Sequence, residues 1–336
     1  MKKILILAFM VTTTYAVFAA EGYKVINKIK IGGTGGWDYI AFDAVNRLLY
    51  ASHGNEVDIV DPDAGKVVGK ITELHGVHGI AIANDLNKGF ITNRTSTSVT
   101  IFDLKTRAKL GEPTAGNNPD AICYEPKTHR VFAINHGGND ATSIDGKTGE
   151  VLEKSIPIGK TGESCQVDGM GKVYVNIESS NEVVEIDAAT NKVTRRTSIL
   201  PCEGPSGLAI DAKGKKLFSV CDKVMAVTDI PTLKVVAKPA IGNGPDGAGY
   251  DPGLGLAFSS NGDGTLSIVK QVGASYDTVD TVKTERGART MCVDEKMHRV
   301  YLLAAEYAQA SETKPGETKK GAPILPDSFH ILVVGK

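Results

Sequence analysis

The chain has 336 residues, 41% of them hydrophobic and 23% charged, which is enough apolar content to fold and enough length for one large domain or two medium ones. Its formal net charge is −1, and −3 once Lys2 and Lys3 are removed (36 basic against 39 acidic residues). That balance argues against a broadly basic nucleic-acid surface.

Residues 1–20, MKKILILAFMVTTTYAVFAA, have the form of a secretory signal: Lys2 and Lys3 at the start, an apolar run from Ile4 to Val11, and small residues before a cleavage point near Ala20 or Glu21. The apolar run is shorter than the ~20 residues needed to span a bilayer. No second apolar segment follows. The expectation is a periplasmic or secreted protein with no membrane span, a monomer, in which residues 21–336 form a single domain.

After residue 31 the chain repeats. Seven segments carry an apolar strand, a turn and a second strand centred on an aromatic residue. The first strands are expected at 37–43, 77–83, 119–125, 163–169, 205–211, 245–251 and 288–294. The aromatics are Tyr50, Phe90, Phe132, Tyr174, Phe218, Phe258 and Tyr301. Third strands recur as VDIVD (57–61), VTIFD (99–103), ATSID (141–145), VVEID (183–187) and VMAVTD (224–229), each followed by a turn and a fourth stretch. The repeats advance by 40 to 44 residues. Four short strands at that period predict an all-β fold, a seven-bladed β-propeller of four-stranded blades.

The seventh repeat ends at FHILVVG (329–335) and lacks a fourth strand, whereas YKVINKIKI (23–31) precedes the first repeat and has the form of one. Pairing the two closes the ring and removes exposed sheet edges. Residues 306–327, rich in Lys, Glu and Pro, are expected to form an irregular loop in this last blade, either solvated or a cover over the mouth of the ring.

The fourth repeat, VYVNIESSNEVVEIDAATNKV, resembles the YVTN-type propeller repeat through Tyr174, Asn176, Ser180, Asn181, Asp187, Thr190, Lys192 and Val193. Residues 89–106 and 130–151 match the pattern less fully, and Lys270-Gln271-Val272-Gly273 departs from it in the sixth repeat. The chain is similar over residues 23–336 to exported YncE-like proteins. The resemblance implies a seven-bladed propeller and leaves the function open, because members of this group have varied roles.

The loops entering each first strand and leaving each second strand belong on one face, around the central channel. The positions leading into the first strands are Asp38, His78, Asp120, Ser164, Ser206, Asp246 and Arg289; the other loops add His53, Arg94, His136, Glu178, Asp222 and Glu306. One rim is therefore expected to gather carboxylates, three histidines and two arginines. The candidate ligand-binding residues are Asp38, His78, Arg94, Asp120, His136, Glu178, Asp246 and Arg289. Within this set, His78, Asp120, His136 and Glu178 come from adjacent repeats and have the donors that hold a divalent metal ion. Arg94 and Arg289 are suited to clamp a carboxylate. Asp and Ser at such positions also serve simply to hydrogen-bond loop backbone. Trp37 is expected either to pack between blades or to form a stacking platform at the channel mouth.

Other motifs are weak. Gly32–Gly36 lacks the Lys-Ser/Thr ending of a phosphate loop. Residues 61–63 and 261–264 lack the acidic twelfth position of a calcium loop. Five cysteines fit neither a zinc ribbon nor a CxxC pair. Cys202 and Cys221 flank antiparallel ends of the fifth repeat, which favours their disulfide over Cys165–Cys202; Cys123 and Cys292 read as buried thiols. The sequence thus predicts a scaffold that binds a small ligand, metal or protein partner at a charged rim. The alternative is a lactonase-like, metal-assisted hydrolase or lyase that uses the rim histidines and carboxylates.

Overall fold

A computed structural model describes residues 22–308 and 322–336. The expected leader lies outside the described residues. The chain forms seven four-stranded antiparallel sheets arranged as the blades of a propeller, with only two short 3-10 turns, Asn84–Leu86 and Glu178–Ser180, among the described residues. The inner strands are Ile40–Asp43, Val77–Ala83, Pro119–Glu125, Gly162–Val167, Leu208–Asp211, Pro245–Asp251 and Met291–Asp294.

The strands are apolar on both faces because each blade is covered by two others. Seven buried clusters result, one at each junction between neighbouring blades. The aromatic residues of the second strands anchor them: Tyr50, Phe90, Phe132, Tyr174, Phe218, Phe258 and Tyr301 are at most 1% exposed. Truncating one of these rings to Ala is expected to cost about 3–5 kcal/mol.

The ring closes as the sequence predicts. Strand Lys24–Lys30 pairs antiparallel with His330–Gly335, from Lys24 opposite Gly335 to Lys30 opposite His330. The seventh blade is thus built from both ends of the chain. The described ends of its long loop pair: Tyr307 bridges Ile324, and the Ala308 and Leu325 N–H groups donate to Pro323 and Glu306 carbonyls. Residues 309–321 lie outside the described residues.

Asp ends the third strand in several blades because the carboxylate builds the following turn. Asp103, Asp145, Asp187 and Asp229 accept the backbone N–H of Thr106, Thr148, Thr190 and Thr232 at 2.7–3.2 Å. Blade 6 dispenses with this turn. There the third strand runs on to Val272 and returns directly at Ser275, with Gly273 at φ 60°.

The inner strands of blades 1, 5 and 7 begin three residues later than the sequence suggests, at Ile40, Leu208 and Met291. In blade 1 the Asp38 N–H bonds the Ser52 hydroxyl instead of continuing the ladder. In blades 2, 3, 4 and 6 a register shift falls at the same place, between Val77 and Ile80, Pro119 and Ile122, Gly162 and Cys165, and Pro245 and Gly247. Such bulges re-aim a side chain out of the sheet. Here they turn one residue per blade toward the channel mouth.

Cys202 and Cys221 form a disulfide with a Cα–Cα distance of 5.3 Å, and Cys123, Cys165 and Cys292 are free. No helix among the described residues is long and apolar enough to cross a membrane.

Candidate functional site at the channel mouth

The re-aimed residues line a bowl of about 650 Å³ at the channel mouth. Asp38, His78, Arg94, Asp120, His136, Glu178, Asp246 and Arg289 all line it, together with Trp37 and Glu163. Glu163 is the residue that the repeat alignment passes over in favour of Ser164. In blade 3 Cys123 faces Phe132, and Asp120 lies three residues before Cys123. In blade 4 Gln166 faces Tyr174, and Glu163 lies three residues before Gln166. The blade 4 hairpin is one residue shorter, which shifts the equivalent position from 164 to 163. Counting back from the turn rather than from the repeat period finds it.

Ser164 instead donates from its hydroxyl to the Ser206 carbonyl, and Ser206 donates to the Pro245 carbonyl at 2.8 Å. Both stitch neighbouring blades together. His53 does not reach the mouth: it is 3% exposed, bonds Asp58 at 2.8 Å and packs on Phe329. The bowl therefore holds two histidines, not three. Asp222 accepts the Gly244 N–H at 3.1 Å, and neither it nor Glu306 lines the bowl.

Two histidine–carboxylate clusters occupy adjacent blades. His78 donates from Nδ1 to Asp38, and Asp120 Oδ1 lies 3.1 Å from the same nitrogen. One N–H cannot satisfy both, so Asp120 Oδ1 is left without a hydrogen-bond partner although it is buried. His136 Nδ1 bonds Glu163 Oε2 at 3.0 Å and lies 3.9 Å from Asp120 Oδ2. Asp120 is common to the two clusters. Glu178 is exposed and stands outside both, acting on His136 only through its charge.

Burial opposes charge on these groups, and the pairs partly restore it. Burial works against the His78 imidazolium, yet the Asp120 and Asp38 carboxylates push its pKa up to about 10. Glu163 raises the His136 value in the same way. Burial raises the Asp38 and Glu163 carboxyls. It lifts Asp246 to about 7, although Arg289 Nε lies 3.1 Å from Asp246 Oδ2 and opposes the shift. Arg289 is thus paired with a carboxylate, whereas Arg94 makes no side-chain hydrogen bond or ion pair among the described residues.

Backbone contacts between blades fix the spacing of the site. Thr92 Oγ1 donates to the Asp120 carbonyl at 2.6 Å, and Asn176 Nδ2 donates to the Ser206 carbonyl at 3.0 Å. Trp37 both packs and faces the mouth: it stacks on Phe329 at 5.2 Å and lines the bowl. Below the bowl, Tyr39 reaches from blade 1 to the cluster between blades 3 and 4 and so lies across the channel. Gly33, in the loop leading to this blade, has φ 82°, and a Cβ there would meet His53 at 2.8 Å. That close approach, not phosphate binding, accounts for a glycine at this position.

No family model matches the chain, and no curated protein matches it in sequence. Solved structures match its fold. A chain in the structure of Kuenenia stuttgartiensis hydrazine synthase is 19% identical, with a TM-score of 0.70 over 80% of this chain and 92% of that one. A chain in the crystal structure of a mitotic checkpoint complex is 13% identical, with a TM-score of 0.72 over 89% and 95%. U3-55K is 9% identical, with a TM-score of 0.73 over 91% and 97%. These neighbours have varied roles, and at these identities the likeness is one of fold.

Proposed function

We propose that the protein is an exported propeller of the YVTN, YncE-like type, periplasmic or secreted, that binds a small polar ligand bearing a carboxylate at the mouth of its channel. The convergence of five carboxyl groups, two histidines and two arginines on one bowl carries this reading. Such a mixture is costly to bury and contributes nothing evident to blade packing. Arg94 supplies the unpaired cation for the ligand carboxylate, with Arg289 beside it. The test is calorimetric titration of the purified protein with a panel of sugar acids and dicarboxylates. Changing Arg94 and Arg289 to Ala should weaken binding at least ~10-fold, since a hydrogen bond to a charged group contributes about 1.5–3 kcal/mol. Affinity that ignores both changes removes the reading.

One observation favours a lactonase-like hydrolase as the second reading. Burial inside the bowl pushes the Asp246 carboxyl up to about 7, the range that suits a general acid–base group. Lactone hydrolysis abolished by Asp246→Asn, with ligand binding retained, would establish it. No turnover of any lactone by the native protein, with or without added divalent metal, removes it.

A further inference from the structure

We propose that the mouth is a dinuclear divalent-cation centre bridged by the Asp120 carboxylate. The inference rests on the reading of the mouth as the binding site and adds what is bound there. Two sets of donors, Asp38–His78–Asp120 and Asp120–His136–Glu163, each bring their ligand atoms within 4.8 Å of one another. Tetrahedral donors around an ion bound at about 2.0–2.2 Å stand roughly 3.3–3.6 Å apart. The Asp120–His78 and His136–Glu163 pairs, at 3.1 and 3.0 Å, therefore open slightly to admit an ion, the His78–Asp38 contact opens further, and the 3.9 Å His136–Asp120 separation closes slightly.

The two sets share one residue but not one atom. Asp120 Oδ1 faces His78 and its Oδ2 faces His136. A carboxylate offering one oxygen to each of two adjacent sets has the arrangement of a bridging ligand. Asp120 is 9% exposed and its Oδ1 has no hydrogen-bond partner. An orphaned buried carboxylate oxygen is costly, and a bound cation is a partner that would satisfy it. Imidazole nitrogens with carboxylate oxygens suit zinc, manganese or cobalt better than calcium or magnesium, which favour all-oxygen shells.

The donors stand on rigid elements. All five residues come from blades 1–4: His78, Asp120 and Glu163 at the bulges, Asp38 just before its inner strand and His136 just past its second strand, and the Asp120 backbone is tied to Thr92 of the neighbouring blade. A third set, His53–Glu56–Asp58, shows the contrast. There Lys70 Nζ lies 2.5 Å from Glu56 and 3.1 Å from Asp58, a cation outside the donor set, whereas the groups paired with the mouth carboxylates are the His78 and His136 rings, themselves members of the donor sets. No Lys or Arg forms an ion pair with Asp38, Asp120 or Glu163 among the described residues.

The experiment uses purified protein stripped with a chelator, then titrated with Mn²⁺ or Zn²⁺ and read by metal analysis after desalting. Two equivalents per chain are expected, and Mn²⁺ at two equivalents should give the electron paramagnetic resonance spectrum of a coupled pair. Asp120→Asn should lose both ions, and His78→Ala and His136→Ala one each. No uptake, one equivalent, or an uncoupled spectrum in the unmodified protein overturns the proposal, and that measurement needs no variant to fold. Two equivalents retained by Asp120→Asn overturns it as well. The sugar-acid panel is run on stripped protein in parallel. Ligand bound with no metal uptake keeps the binding function and removes the metal centre. Metal taken up as a coupled pair with no ligand bound keeps the centre and removes that function.

Discussion

Thr92 Oγ1 accepts the Gly79 N–H at 2.7 Å and donates to the Asp120 carbonyl at 2.6 Å. One fully buried hydroxyl therefore links the residue after His78 to Asp120 and sets the distance between blades 2 and 3 at the mouth. Thr92→Val keeps the side-chain shape and leaves an N–H and a carbonyl short of a partner. A loss of about 1–3 kcal/mol is expected in urea denaturation. Unchanged stability would mean that the blades are spaced by packing alone.

Gly79 permits this approach. A Cβ there would lie 2.5 Å from the Asp120 carbonyl oxygen and 3.0 Å from the Ile122 backbone nitrogen. Gly79→Ala should destabilise the protein by about 1–3 kcal/mol and displace Asp120. Gly36→Ala, with nothing within 4 Å, is the control and should be close to neutral. Equal denaturation midpoints for the two variants would contradict the steric argument.

The Cys202–Cys221 disulfide closes a loop with a sequence separation of 19. Cross-linking a loop of that size stabilises by about 3 kcal/mol through the unfolded chain. The Cys202→Ala, Cys221→Ala double variant should lower the denaturation midpoint accordingly. Reductant should lower the native protein's midpoint and leave that of the double variant unchanged.

The Asp turns make the fold acid-sensitive. The Lys172 ammonium and Thr190 hold Asp187 down to about 2, below its ordinary 3.8. Thr106 and Thr232 lower Asp103 and Asp229. A depressed folded pKa means that the unfolded chain binds more protons, so this stability is present above about 3.8 and disappears as pH falls through about 2. Urea midpoints should drop across that window, less steeply for Asp187→Asn than for the native chain. Identical slopes would show that Asp187 does not contribute.

Deleting residues 22–31 should expose the edge of strand His330–Gly335, which lies in the core of blade 7 with every residue buried. Unpaired edges invite intermolecular pairing. Size-exclusion chromatography should show aggregation; a monodisperse variant that melts like the native protein would count against strand-mediated closure.

The sequence by itself determined the ring: seven repeats, an aromatic anchor in each second strand, and an N-terminal strand able to complete the last blade. These features are legible because local alternation and a fixed period survive divergence of everything else. The composition of the mouth was legible only in part, because side chains alternate and a one-residue shift reverses their facing. A single deletion in the Asp168–Lys172 hairpin therefore replaced Ser164 by Glu163 at the mouth. His53 is the last residue of its second strand, in the place of Asn135 and one residue short of that of His136, and Asp58, Phe329 and the approach of Gly33 hold it inside blade 1. Only the closed ring decided which loops face one another, and it made Asp120, one of several rim candidates in the sequence, the carboxylate shared by two histidine clusters. That relation joins residues of four blades across a channel, and no local pattern along the chain encodes it.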